Sequence, residues 1–600
     1  MERALALSLG DMDCAELRAQ AQQWIADDSD PATQAELRAL LAQPDLASTD
    51  LPDRFAGSLE FGTAGLRGVL GAGPNRMNRA VVARATWGLA QEVLASIPHA
   101  QERGVIVGGD ARRMSREFSE DVAAILAQAG LTVLLFPAPV PTPLVGFAVK
   151  RLGAAAGVVI TASHNPPEYN GYKIYWENAA QIVPPVDSRI AGAIGRAPPA
   201  CAIARPSLDP LRAGGRVRRP PADLERSYLA ELRNLGVHPS AGDRRLSIVY
   251  TPMHGVGDVL AREALREGGF ASVTSVPEQQ KPDGAFPTVA FPNPEEPGAM
   301  DLAFALAKKI GAELVLANDP DADRLAVAAA QSGDYRQLTG NEVGVLLGHY
   351  LLTERPVLAG ARRGRAILVS IVSSPQLGRI ATDLGIYYEE TLTGFKWIAN
   401  RAIELEQQGY EFVFGYEEAL GYCVGSVVRD KDGISAALLA AEVAAVLRSR
   451  GLTLFDQLDA ISRRWGVAAS AQVNVKRKGA SGMASICAMM SALRASPPSQ
   501  VDDDKVAAVA DYEARIRTDV HSGRTSTLSL PESNVLAYEL ASGSRIIARP
   551  SGTEPKAKFY FDVLEPVREK EPVSQARERA AARLGRLKDA FQGIVSRLQV

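Results

Sequence analysis

Residues 104–136, GVIVGGDARRMSREFSEDVAAILAQAGLTVLLF, read as strand, helix, strand. GVIVGGD (104–110) is short, apolar and rich in β-branched residues, and it stops at an aspartate. SREFSEDVAAILAQAG (115–130) carries apolar residues at helical spacing and closes on Gly130, the residue type that most easily turns the chain after a helix. LTVLLF (131–136) is again a continuous apolar run. Strands without polar alternation are buried on both faces, and strands that alternate with helices pair in parallel. The same unit recurs outward from here. GVVITA (157–162), RLSIVYTPM (245–253) with a helix over 257–268, ELVLAND (313–319), AILVSIVSS (366–374) with a helix behind it, and YEFVFGYEE (410–418) ahead of a helix over 433–450 all repeat it. After residue 470 the strands RIIAR (545–549) and AKFYFDVL (557–564) precede a helical tail over 574–598, a pattern closer to α+β.

A chain of 600 residues has the length of about four domains. Lys plus Arg total 66 and Asp plus Glu 69, so the net charge of −3 gives no global pull toward nucleic acid or an acidic membrane. Cys14, Cys201, Cys423 and Cys487 lie far apart with no CxxC pair, which argues against a disulfide framework or structural zinc and for a reducing compartment. MERALALSLGDMD makes a poor signal peptide, and the apolar run 435–447 is too short to span a bilayer, so a cytoplasmic protein is expected. Residues 12–48 read as a helical arm, 195–222 as a Pro- and Arg-rich boundary or linker, and 492–506 as an exposed loop. No GxxxxGK[ST], no GxGxxG after a strand, no GxSxG and no HExxH occurs.

Five segments carry chemistry. In TASHNPPEYNGYK (161–173) Ser163 follows a strand at its mouth, a place suited to a nucleophile, with His164 and Lys173 as candidate proton carriers. Alone it also reads as a polar turn. DPDADR (319–324) places Asp319, Asp321 and Asp323 at alternate positions after a strand, where extended backbone sends them to one side and a slight curl lets them meet one cation. Oxygen-only donors select a hard ion such as Mg²⁺. An EF-hand starting at Asp319 is excluded by Arg324 and Ala330 at the positions that need Gly and Glu. RPSGTEPK (549–556) offers hydroxyls, backbone N–H groups and the charges of Arg549 and Lys556, the makings of a phosphate cradle. GYEEALGY (415–422), with VRDKDG (428–433), puts two glutamates after a strand, able to accept from sugar hydroxyls or to start a helix. FGTAGLRG (61–68) is glycine-rich and holds Arg67.

In this order and spacing the five segments resemble the α-D-phosphohexomutase superfamily, from about residue 55 to 565, and most of all its branch of phosphopentomutases and bacterial phosphoglucomutases. The resemblance implies three mixed α/β domains and a smaller C-terminal α+β domain around a central cleft. Expected bounds are an arm over 1–50 and domains over 51–215, 216–332, 333–466 and 467–600. By resemblance Ser163 is the phosphorylated serine, and Asp319, Asp321 and Asp323 bind Mg²⁺ together with its phosphate, with Arg324 beside them. Arg67, Arg112, His164 and Lys173 are implied active-site residues, proton transfer falling to Lys173 or His164. Thr393, Gly394 and Glu417 would recognise the sugar, Ala419 standing where the family often has serine. Arg549, Ser551, Gly552, Thr553 and Lys556 would hold the non-reacting phosphate, and Lys431 would contact a phosphate. The implied reaction interconverts glucose 1-phosphate and glucose 6-phosphate through phosphoserine and a bisphosphorylated sugar, with Mg²⁺ as cofactor and glucose 1,6-bisphosphate as activator. Mannose and pentose phosphates are alternatives, as is a non-catalytic sugar-phosphate-binding protein. The expected partners are small sugar phosphates, with neither nucleic acid nor membrane, for a monomer or weak homodimer.

Overall fold

The computed structural model describes residues 14–61, 65–238, 242–357, 362–477, 480–551 and 556–598. The chain forms two compact units, one of Met12–Ala366 with Gly394–Leu452, the other centred on Ile367–Thr393 and Thr453–Val600.

In the larger unit the strand–helix–strand reading of 104–136 holds, as Val105–Gly109, Ser115–Gln128 and Val133–Leu135. Val105–Gly109 lies parallel between Val133–Leu135 and Ala156–Ile160, as its apolar composition requires. Tyr169–Tyr175 and Leu66–Val69 add antiparallel strands on one edge, so the sheet is mixed. Helices cover both of its faces. A side chain added at Gly108 would meet Val145 of the helix Thr142–Leu152, and one at Gly109 would meet Ser119 of Ser115–Gln128. Neighbouring strand residues point to opposite faces.

The stretch 195–222 is not a free linker. Val217–Arg218 pairs in parallel with Val133–Leu135 as the last strand of this sheet, and Val217 is buried in its core. Its Pro- and Arg-rich composition suits an edge, where half of the backbone hydrogen bonds go unused.

The described part of the arm forms helices Cys14–Asp27 and Pro31–Leu41, split where Asp30 caps the second by accepting from the Ala32 N–H. Leu17, Ala21 and Leu37 pack with Leu51, Phe55 and Ala72, and Arg54 ties Glu36 at 2.6 Å, so these helices dock on the first domain.

A second sheet runs Asp334–Gln337, Ala326–Gln331, Leu314–Ala317, Ile248–Thr251 and Val273–Ser275, the last three parallel. GYEEALGY opens no helix. It is the turn of a hairpin between Glu411–Glu417 and Gly421–Val424, with Leu420 at φ +62°. The apolar run 435–447 lies in the helix Gly433–Ser449, buried along nearly its whole length, and among the described residues no helix is long and apolar enough to cross a membrane.

The smaller unit is built on an antiparallel sheet whose first strands in spatial order are Val467–Lys476, Lys556–Glu565, Arg545–Pro550, Leu536–Leu540 and Asp504–Asp511. The tail helix Val573–Arg597 lays Phe591 against Tyr538, Phe559 and Phe561. Residues 492–506 are an exposed loop only over 496–499. They hold the end of the helix Ala480–Ala495 and a tight hairpin of Gln500–Val501 with Asp504–Asp511, whose Val501 is buried. The acidic run 502–504 supplies the turn that its composition suggested, and Val501 supplies the anchor. Together the units carry three mixed α/β domains and a β-rich C-terminal domain, the four-domain architecture expected.

Candidate active site

Open α/β sheets present ligand sites at the carboxyl ends of their parallel strands. Two loops leave such ends in the larger unit. One follows Ala156–Ile160 and holds Ser163; the other follows Leu314–Ala317 and holds the three aspartates. They meet: Ser163 Oγ donates to Asp319 Oδ2 at 2.7 Å.

Ser163 has φ +54°, a left-handed backbone that costs a non-glycine residue about 1–2 kcal/mol. The loop around it is over-determined. The Ser163 N–H donates to Thr161 Oγ1 (2.8 Å), which in turn donates to the buried Asp110 (2.6 Å). Arg112, itself buried, donates to the carbonyls of Ser163 (2.6 Å), Asn165, Pro166 (2.7 Å) and Tyr169 (3.2 Å). Arg67 reaches the same loop through Asn165 Oδ1 at 2.8 Å. Burial, and then the charge of Arg324, push Arg67 down to about 10, still charged near neutrality.

The aspartates converge by a turn and not by strand alternation: the Ala322 N–H bonds the Asp319 carbonyl, with Ala322 at φ +58°. All three are fully buried, and an oxygen from each lies within 4.8 Å of the others. Asp319 Oδ1 accepts from the Arg324 N–H (3.0 Å). Asp321 Oδ2 accepts from Lys173 Nζ (2.8 Å) and Thr142 Oγ1 (2.7 Å). Asp323 Oδ2 accepts from Lys173 Nζ (2.9 Å) and lies 2.9 Å from Lys431 Nζ. Asp321 Oδ1 and Asp323 Oδ1 are buried and accept no hydrogen bond among the described residues, although Arg324 Nε lies 3.9 Å from Asp323 Oδ1. A side chain at Gly421 would overlap the Lys431 stem (2.4 Å), so a glycine there lets this lysine through.

The charges follow from this packing. Burial works against the ammonium groups, but Asp321 and Asp323 outweigh it at Lys173, and Asp323 and Asp430 at Lys431, so both stay charged. Burial also opposes ionisation of Asp323, yet Lys173 and Lys431 hold it low. Asp319 goes the other way: burial, and then the charges of Asp321 and Asp323, push its carboxyl well above the usual range. His164 Nδ1 lies 3.2 Å from Ser163 Oγ, and burial with the nearby Arg324 and Arg67 holds the imidazole well below its ordinary pKa, hence neutral. This donor set fits a hard divalent cation. It is oxygen-only and buried, two of its oxygens accept no hydrogen bond among the described residues, and its third carboxylate needs positive charge to ionise.

Near this cluster the Gly394 N–H donates to Glu417 Oε1 at 2.7 Å. Arg324 Nη1 donates to the Ala419 carbonyl (2.8 Å), and Arg324 bridges to Gly421, joining the acidic loop to the hairpin turn. Ser163, His164, Lys173, Arg67, Arg112, the three aspartates, Arg324, Lys431, Glu417 and Gly394 thus belong to one unit. Thr393 belongs to the other, its Oγ1 buried without a partner among the described residues. Arg549, Ser551 and Lys556 also lie there, with the Ser551 N–H bonding the Lys556 carbonyl at 2.7 Å, while Gly552 and Thr553 fall outside the described residues.

Sequence reasoning missed Asp110, Thr142 and Asp430. Asp430 accepts from Tyr175 Oη (2.6 Å), Gln181 Nε2 (2.7 Å) and Lys431 Nζ (3.4 Å). Asp110 had a readable signal, an acidic residue at the end of an apolar strand. Asp430 lay beside Lys431 inside the quoted VRDKDG (428–433), and Thr142 had no signal.

Residues 58–198, 226–333 and 339–463 match the family descriptions phosphoglucomutase/phosphomannomutase, alpha/beta/alpha domains I, II and III. The chain is 37% identical over 556 residues to a probable phosphoribomutase of Schizosaccharomyces pombe, covering 90% of this chain and 92% of the relative. It is 39% identical over 491 residues to a probable phosphomannomutase of Haemophilus influenzae, covering 81% and 93%. In fold it resembles the crystal structure of a phosphoglucomutase/phosphomannomutase family protein from Burkholderia thailandensis, with a TM-score of 0.63 at 20% identity over 89% of this chain and 97% of that one.

Proposed function

Because the chain belongs to the phosphoglucomutase/phosphomannomutase family of the α-D-phosphohexomutase superfamily, with relatives named phosphoribomutase and phosphomannomutase, we propose that it moves a phosphoryl group between two oxygens of one sugar phosphate with Ser163 as the carrier. The observation that carries this reading is Ser163 Oγ, 2.7 Å from Asp319 in a buried carboxylate cluster, two of whose oxygens accept no hydrogen bond among the described residues.

In the first half-reaction the bond from phosphorus to Ser163 Oγ breaks and one to a sugar hydroxyl oxygen forms. The hydroxyl proton passes to a group of the chain and the leaving Ser163 Oγ takes up a proton, giving a bisphosphorylated sugar and the free serine. The second half-reaction reverses these changes at the other end of the sugar. Phosphoryl transfer depends chiefly on positioning and on neutralising charge. Ser163 sits where Arg112 and Thr161 fix its backbone. Lys173, Lys431 and Arg324 supply fixed positive charge beside it. His164 Nδ1 and Lys173 Nζ are the two proton carriers within this cluster. Asp319, Asp321, Asp323 and an oxygen of the serine phosphate would hold Mg²⁺, which when bound supplies charge neutralisation at the transferring group. Glu417 and the Gly394 backbone, with Thr393, are assigned to sugar hydroxyls. A phosphate group is assigned to Arg549, Ser551, Gly552, Thr553 and Lys556.

For the sugar, a pentose 1-phosphate is the first reading, supported by the yeast relative named for ribose phosphate across 90% of this chain. A hexose 1-phosphate, glucose or mannose, is the second, supported by the Haemophilus relative named for mannose phosphate. The test is conversion of ribose 1-phosphate, glucose 1-phosphate and mannose 1-phosphate at matched concentrations with Mg²⁺ and the matching bisphosphate, with inorganic phosphate followed in parallel. One sugar should turn over faster than phosphate is released, and Ser163→Ala should lose at least about a thousandfold in rate. An active Ser163→Ala enzyme would sink the assignment.

A further inference from the structure

The donors to Asp321 and Asp323 fall on one oxygen of each. Lys173 and Thr142 bond Asp321 Oδ2, Lys173 and Lys431 meet Asp323 Oδ2, and neither Oδ1 atom accepts a hydrogen bond among the described residues although both are buried, Arg324 Nε coming no nearer than 3.9 Å to Asp323 Oδ1. A lysine ammonium cannot by itself decide which oxygen of a carboxylate it meets. It is a point charge on a flexible stem with three rotating donors. Thr142 differs in kind. It is the first residue of the helix Thr142–Leu152, it is fully buried, and as a β-branched residue it is stiff about its first side-chain bond. It also holds Asp321 at two points. Its N–H bonds the Asp321 carbonyl (3.0 Å) while its Oγ1 bonds the Asp321 carboxylate (2.7 Å). That pair of bonds fixes both the backbone and the rotation of the carboxylate.

We propose that Thr142 is a positioning residue for the cation site: its hydroxyl turns Asp321 so that Oδ1, and not Oδ2, is offered to the metal. The inference rests on the reading of the aspartates as metal ligands given above. Without that hydroxyl Asp321 is free to turn, since Lys173 is shared with Asp323 and follows whichever oxygen is near. The role also crosses between two sheets. Thr142 begins a helix packed on the first sheet, while Asp321 hangs from the second, 179 residues along the chain.

The test is direct titration of the full-length protein with Mn²⁺, a probe of carboxylate sites, followed by loss of the free-ion electron paramagnetic resonance signal. Thr142→Val keeps the shape and the main-chain bond but removes the hydroxyl, Thr142→Ala removes it without placing a methyl against Asp321, and Thr142→Ser restores it. Loss of a partner that orients a metal ligand weakens metal binding by about 10–100-fold. The expected result is a shift of that size for Val and Ala, near-native binding for Ser, and a matching rise in the Mg²⁺ concentration for half-maximal activity with kcat regained at saturating Mg²⁺. Native Mn²⁺ affinity in both Val and Ala variants would overturn the proposal and leave the metal site standing. Loss of activity in them that saturating Mg²⁺ does not restore would also overturn it. Failure of the unmodified protein to bind Mn²⁺ would overturn the cation site and with it this role.

Discussion

Replacing Lys173 with methionine removes a cation that lies within 3 Å of two of the three buried aspartates, where Arg324 Nε comes only to 3.9–4.0 Å of Asp323 and Asp319. Lys173 Nζ stands 2.8 Å from Asp321 Oδ2 and 2.9 Å from Asp323 Oδ2, with all three side chains out of water. At an effective dielectric of about 20 each contact has a gross Coulomb energy of about 6 kcal/mol, set against several kcal/mol of desolvation for each ion. Methionine fills similar space, so the loss is one of charge, and breaking a buried pair from one side costs about 3–5 kcal/mol. Protonation caps that cost. A carboxylate with an ordinary pKa near 4 takes a proton at pH 7.5 for about 4–5 kcal/mol, at 1.36 kcal/mol per pH unit.

The sign follows. In Lys173→Met the folded state holds a proton on these carboxylates that the unfolded state has released, so its deficit against the parent grows as pH rises and shrinks as pH falls toward 4. Calorimetric unfolding in EDTA should show a midpoint lowered on the order of 10 °C at pH 7.5 for the domain affected. At pH 5.5 the deficit should be smaller by roughly 3 kcal/mol, two pH units at 1.36 kcal/mol each. A deficit that is the same at both pH values, or a fall of under about 2 °C at pH 7.5, would show that the ammonium does not neutralise these carboxylates and would refute the charge balance argued here.

Two further outcomes are expected. Asp432 caps the helix Gly433–Ser449, accepts from Tyr228 Oη (2.9 Å), and is raised by burial to about 6. Folding then keeps a proton on Asp432 that the unfolded chain sheds above pH 4, so stability falls by roughly 3 kcal/mol as pH rises from 4 to 6. Asp432→Asn keeps the cap acceptor and removes the proton. Its melting midpoint relative to the parent should be more favourable at pH 7.5 than at pH 4.5, and a flat difference would count against the shift. At Gly340 an added methyl would lie 1.7 Å from the Glu418 carbonyl, so Gly340→Ala must displace the hairpin turn that follows Glu417. A KM for the sugar phosphate raised at least about tenfold (about 1.4 kcal/mol) with Mn²⁺ binding unchanged is the expected result; an unchanged KM would detach this turn from sugar recognition.

Much of this protein is written in local patterns. Continuous apolar runs such as GVIVGG and LVLA form buried parallel strands because no polar alternation leaves them a wet face. The three aspartates two residues apart, and a serine just past a strand, announce their loops because a single turn of backbone suffices to gather them. Other features waited on the tertiary structure. The Pro- and Arg-rich 195–222 reads as a linker, since an edge strand as short as Val217–Arg218 has no period to detect, and only the neighbouring Val133–Leu135 makes it one. GYEEALGY reads equally as a helix start until Gly421–Val424 folds back on Glu411–Glu417.

The site divides in the same way. The residue types that hold charge were visible in the chain, but which oxygen each donor takes was not. Lys173 lies 148 residues from Asp321 and Thr142 lies 179 away, and contacts across such distances leave no spacing in the sequence. The sequence alone determined which groups could do chemistry, because hydroxyl, carboxylate and ammonium are properties of residues. Only the tertiary structure decided which oxygens are satisfied and which stay free, because hydrogen bonding inside a buried cluster is settled by the direction of approach, and direction exists only once two sheets have packed.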